Sequence, residues 1–170
     1  MDFLLVSMRL LHIVLGVFWV GTMLFNVFFL GPAMEDAGPD SAKVAAGLMQ
    51  RRFFAILPIA AVLAVLSGLW LYWRASLGFE PAYMRSGPGM TYGIGALAAV
   101  IAFIIGAAVV RPAMMKAFAL GQRVGAAAPE ARGALLAEAK ALRVRGAQMS
   151  RLVAMLLLIA AGTMAIGRYV

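Results

Sequence analysis

Polar and apolar positions along this chain fall into blocks rather than alternating. Four long apolar runs, at about 3–30, 53–73, 91–110 and 152–166, are divided by stretches that hold most of the charge. Crossing bilayer hydrocarbon takes roughly 20 apolar residues in helical form. Every backbone N–H and C=O placed in hydrocarbon needs a partner, and a helix supplies it within one segment. The runs are too long and too evenly apolar for the alternating strands of a membrane barrel. The pattern predicts an all-α, polytopic membrane protein: one domain over 1–170, built as a bundle of four transmembrane helices.

The ends of the runs carry recognisable signals. The first begins after Asp2 and is longer than the apolar region of a secretory leader, so it reads as a retained helix. Gly31-Pro32 reads as its stop. Trp70, Tyr72 and Trp73 close the second run with rings suited to the headgroup level. Pro58 lies inside that run and predicts a kink or a missing backbone bond. Arg111-Pro112 follows the third run, with a kinked extension to about 121. The fourth ends in Arg168 and Tyr169.

Charge then suggests an orientation. The connections at 31–52 and 111–151 share a side in a four-span protein, and between them hold 11 of the 15 Lys and Arg residues. The positive-inside bias puts that side in the cytoplasm and both termini outside it. Within 111–151, Pro129-Glu130 looks like a helix start. Leu135, Leu136, Ala139 and Leu142 recur at helical spacing. This basic, partly helical stretch predicts either an extension of the fourth helix or a helix lying on the membrane.

Composition agrees and removes several function classes. At 64% hydrophobic and 13% charged, the chain has more apolar residues than a soluble core of this size could hold. The net charge of +8 lies beside the spans, where anionic lipid headgroups are the natural partner and nucleic acid is not. With no cysteine, disulfides, thiolate metal sites and cysteine nucleophiles are excluded. Phosphate loops, dinucleotide fingerprints, HExxH sites and serine elbows are absent. No carboxylate pair lies within a span, which argues against a carboxylate proton relay.

One residue stands out. His12 is the only histidine, and it lies about 13 Å into the first helix at 1.5 Å per residue. Polar groups at such depth face a bundle interior or a cavity. Three uses are open: a hydrogen bond between helices, a cofactor or metal ligand, or proton handling. Met8 and Gly16 are one turn away on either side, Trp19 is two turns along, and Arg9 is three residues toward the helix start. A haem could take His12 as axial ligand, with Gly16 leaving room for the ring, Trp19 against its edge and Arg9 at a propionate. Copper(I) is the competing ligand, with Met8 beside His12, although the twelve methionines are scattered and read mainly as apolar filler. Asn26, Arg51 and Arg52 share a predicted level where an anionic headgroup or carboxylate could bind. Gly95 with Ala99, and Ala102 with Gly106, are small-residue pairs that let helices approach closely.

Arg9-Leu10-Leu11-His12, Phe18-Trp19-Val20-Gly21, Arg51-Arg52-Phe53-Phe54, Pro58, Ser67-Gly68 and the ending Gly162–Tyr169 together resemble a group of small bacterial inner-membrane proteins. The group includes copper-resistance D-like proteins, an uncharacterised integral membrane family and HemJ-like protoporphyrinogen oxidases. The HemJ resemblance implies haem b at His12, with Arg9 as the basic residue before it and Arg52 with Pro58 matching the second-helix pattern. It further implies a haem-associated redox or electron-transfer role, with a homo-oligomer or membrane redox partner. The chain departs from that pattern in having Phe25-Asn26-Val27-Phe28-Phe29-Leu30 after the first motif, no second histidine and no lysine in the third span. Copper handling, small-molecule transport and a non-catalytic membrane subunit are the alternatives.

Overall fold

The computed structural model describes residues 2–170, and it is helical throughout apart from short connections. Four helices are long and apolar enough to cross a membrane: α1 (Phe3–Asp36), α3 (Phe53–Ala75), α5 (Gly87–Val124) and α6 (Pro129–Ile166). Two shorter ones, α2 (Ser41–Gln50) and α4 (Pro81–Met84), lie in the connections. The long helices run up and down, each packed on its neighbour, with α6 returning to α1. Asp2 begins α1 by accepting a hydrogen bond from the Leu5 N–H, and Ser86 does the same for α5 through Gly89.

The packing is that of a protein in oil. The centre is made of Trp19, Met23, Ala61, Ala64, Ala102, Val153 and Leu157. Large side chains such as Phe3, Leu10, Val17, Ile59, Leu66, Leu97 and Met155 point outward. With hydrocarbon outside there is no gain in hiding leucine, and small residues at the seams let backbones close up. Gly95 is one such point: a Cβ there would run into the Thr163 hydroxyl on α6.

One sequence expectation is revised, and one that was left open is decided. Gly31-Pro32 does not stop α1. The helix widens to a π-turn over Asn26–Leu30 and continues to Asp36. A proline forfeits one helical hydrogen bond and crowds the carbonyl four residues back; a π-turn relieves that crowding by shifting the bonding to i+5. Accordingly, the Gly31 N–H donates to the Asn26 carbonyl. The fourth helix is not confined to 152–166, since α6 runs unbroken for 38 residues and carries Arg145 and Arg151 along its length. The basic stretch 111–151 thus takes the first of its two expected forms, an extension of the fourth helix, and not that of a helix lying on the membrane. It consists of the end of α5 and the beginning of α6, packed together as an antiparallel hairpin around a turn at 125–128. Its seam is small: Ala113, Ala117, Leu120, Ala139 and Gly146 are buried, and Met114 fills the space over Gly146.

The two halves of the chain repeat one design. A π-turn at Asn26–Leu30 precedes Gly31-Pro32, and a second at Gly106–Val110 precedes Arg111-Pro112. The residues after the turns have nearly the same backbone, φ −59°, ψ −55° at Gly31 and φ −58°, ψ −53° at Arg111. At the other end of each hairpin, a ring on the first helix sits over a glycine in or just past the second: His12 over Gly68, and Tyr92 over Gly167. One face of the bundle thus holds both described chain ends, and the other holds the two Xaa-Pro turns and the protruding α5–α6 hairpin.

Candidate functional site

His12 is half-buried between α1 and α3. Its Nδ1 lies 2.8 Å from the Ala64 carbonyl oxygen. A carbonyl only accepts, so the proton of this bond belongs to Nδ1, and in the neutral ring Nε2 carries the lone pair. The same carbonyl accepts from the buried Ser67 hydroxyl at 3.1 Å, which also bonds Leu63 O at 2.6 Å. The ring approaches α3 closely because residue 68 has no side chain: a Cβ there would come within 2.6 Å of Cε1 and 3.0 Å of Nδ1.

The other residues of interest distribute unevenly. Met8 is half-buried one turn toward the chain-end face, and Arg9 is exposed beside it. Gly16, one turn the other way, borders open space, with nothing within 4 Å of a Cβ built there. Trp19 is buried at 6% exposure in the central cluster rather than lining that open flank. Arg52 begins α3 twelve residues before Ala64, about 18 Å along the axis at 1.5 Å per residue. His12, Met8, Arg9 and Gly16 therefore share one neighbourhood, and Arg52 belongs to the opposite face. Among the described residues, no group of three His, Cys, Asp or Glu side chains comes together.

A haem at His12 would need both a suitable donor and room for its ring. The donor chemistry suits an axial ligand: a metal-binding imidazole characteristically donates its second N–H to a carbonyl or carboxylate, which fixes its tautomer and orientation. Space inside the bundle is taken up by the central cluster. Open space adjoins Gly16, one turn along the same helix, so the group would lie against the α1–α3 pair rather than between all four helices.

A second polar constellation occupies the far face, and sequence reasoning had not connected its parts. Pro58 has no N–H, which leaves the Phe54 carbonyl without its i+4 donor. The Arg111 Nε–H supplies one instead, at 3.1 Å from Phe54 O. Pro58 announces the orphaned carbonyl in the sequence, but nothing local to it points to a residue 57 positions away on α5. Arg52, just before this point, is in the left-handed region at φ 55°.

At the chain-end face, Arg74 pairs with Asp2 at 2.9 Å and ties α3 to the start of α1. The Leu5 N–H and Arg74 hold the Asp2 carboxyl below its usual range. Tyr72 donates to the Gly89 carbonyl at 3.0 Å, joining α3 to α5. Tyr83 packs edge-on to Tyr72, and burial, with Tyr92 and Tyr72 nearby, raises its phenol pKa.

No family model matches this chain, and neither does any curated protein or solved structure at a significant level.

Proposed function

We propose that this chain is a haem-associated protein of a bacterial inner membrane, with both chain ends outside the cytoplasm and His12 Nε2 as the axial donor. The observation that carries the reading is the hydrogen bond from Nδ1 to Ala64 O, which occupies one ring nitrogen and leaves the other with its lone pair. Gly68 permits the close approach of the ring, and Gly16 keeps the adjoining flank clear. Arg9, one turn nearer the surface, is placed to meet a carboxylate at the headgroup level. A bound haem would supply a one-electron iron couple, and the chain would contribute orientation, an apolar setting and exclusion of water. The basic hairpin supports the orientation through the positive-inside bias.

The test is the reduced-minus-oxidised visible spectrum of protein purified in mild detergent after expression with ample haem. A Soret band that disappears in His12→Ala, while the variant remains folded by circular dichroism, is the expected result. Colourless wild-type protein overturns the proposal.

One observation favours a second reading, in which His12 is a clasp between helices. Tyr92 over Gly167 repeats the geometry of His12 over Gly68, and a tyrosine there fills space without offering a nitrogen. On this reading the wild-type protein is colourless, and His12→Ala loses thermal stability through the missing bond to Ala64 and the void over Gly68.

A further inference from the structure

A cleft of about 190 Å³ lies between α5 and α6 beside the second π-turn. Its apolar floor is Ala108, Val109, Ala113 and Leu142, with Pro112 at the edge, and Lys116 and Arg145 stand at its mouth. The floor and the mouth differ in chemistry along the membrane normal. Ala108 and Val109 belong to the last turn of the apolar run of α5, whereas Lys116 and Arg145 belong to the protruding hairpin. The cleft therefore straddles the boundary where acyl chains meet headgroups.

The two cations at the mouth are not equivalent. Lys116 is paired with Glu138 at 2.8 Å, so much of its charge is answered within the protein. Arg145 is exposed and has no carboxylate within ion-pairing distance among the described residues. An uncompensated guanidinium at this level attracts phosphate, to which its planar fork can donate two parallel hydrogen bonds.

We propose that this cleft is a binding site for an anionic phospholipid, with an acyl chain on the Ala108–Leu142 floor and the headgroup phosphate on Arg145. An acyl chain fits the floor, which a free phosphate would leave uncovered. The excess negative charge of an anionic headgroup matches Arg145, the cation at this mouth that no carboxylate answers among the described residues. The π-turn before Pro112 contributes Ala108 and Val109 to the lining, so the proline device acquires a use at this end of the bundle.

The experiment is native mass spectrometry of the full-length protein released from detergent, counting lipid adducts with phosphatidylglycerol and with phosphatidylcholine of the same acyl chains. Phosphatidylglycerol should be retained about five-fold more strongly, the preference expected of one basic residue near a headgroup. Arg145→Gln should remove the preference. Lys140→Gln, which deletes the same charge elsewhere on α6, should keep it. Ala108→Phe, which fills the floor from an exposed position, should lower binding of both lipids without touching a charge. Equal retention of the two lipids by the wild-type protein overturns the proposal. So does equal loss of preference in Lys140→Gln, which would mean a diffuse field rather than a site. Competition by millimolar inorganic phosphate that displaces the lipid completely would also overturn it, by identifying a free-anion site.

Discussion

The bond between Arg111 and the Phe54 carbonyl can be tested by removing either the donor or the need for it. In the wild-type chain Pro58 leaves that carbonyl unserved by its own helix, and Arg111 serves it at 3.1 Å. Replacing Arg111 by glutamine should then cost about 1 kcal/mol, the net value of one hydrogen bond at an exposed site. In a Pro58→Ala background the helix regains the N–H at position 58 and satisfies Phe54 O itself. The same Arg111→Gln change should then cost close to nothing. The double-mutant cycle predicts a coupling of about 1 kcal/mol, well above the ~0.5 kcal/mol scatter found between independent sites. Equilibrium unfolding in mixed detergent micelles, followed by circular dichroism, measures all four variants. If the two changes add within that scatter, Arg111 is not a surrogate donor and the argument from the missing proline N–H is wrong.

Other outcomes follow from the same geometry. Gly68→Ala should displace the His12 ring and cost about 1–3 kcal/mol, because the new Cβ would lie 2.6 Å from Cε1, while Gly16→Ala, with open space beside it, should be nearly silent; thermal unfolding in detergent compares the two. The Tyr83 phenol should ionise above the usual tyrosine value, as read by ultraviolet titration. Because its folded-state value is raised, its contribution to stability is intact below the ordinary phenol pKa and fades as pH climbs through the raised one; a normal titration would contradict the burial argument. Trypsin should cut at Arg123 or Arg132, which flank the hairpin turn, in inverted vesicles and not in right-side-out ones. The reverse pattern would invert the proposed orientation.

The bundle was legible in the sequence because hydrocarbon imposes a coarse rule, long apolar blocks, that no neighbouring element can override. Helix ends were less so. Gly31-Pro32 has the composition of a terminator, and only the i+5 bonding at Asn26–Leu30 carries the helix past it. Whether Arg145 and Arg151 extend the fourth helix or lie on the membrane stayed open in the sequence, because an exposed arginine stem can reach headgroups from either and a hydropathy plot does not see that reach. At the candidate site, the depth and solitude of His12 were visible, whereas its partners Ala64 and Gly68 were not. A backbone carbonyl and an absent side chain leave no chemical mark, and Ser67-Gly68 stood out only through resemblance. Arg52 was grouped with His12 by motif, but helix rise separates them to opposite faces.

The join between the halves has its own consequence. Leu77, Gly78 and Phe79 take three successive positive φ angles of 51°, 83° and 67°, an unfavourable run for two residues that bear side chains. What knits the modules is lateral: Tyr72 to Gly89, Arg111 to Phe54 and the meshing of α6 with α1. The bonds of the link itself, such as the Phe79 N–H to the Ser76 hydroxyl, are local to it, so a polypeptide severed there and expressed as two separate pieces should reassemble in the bilayer through the lateral contacts.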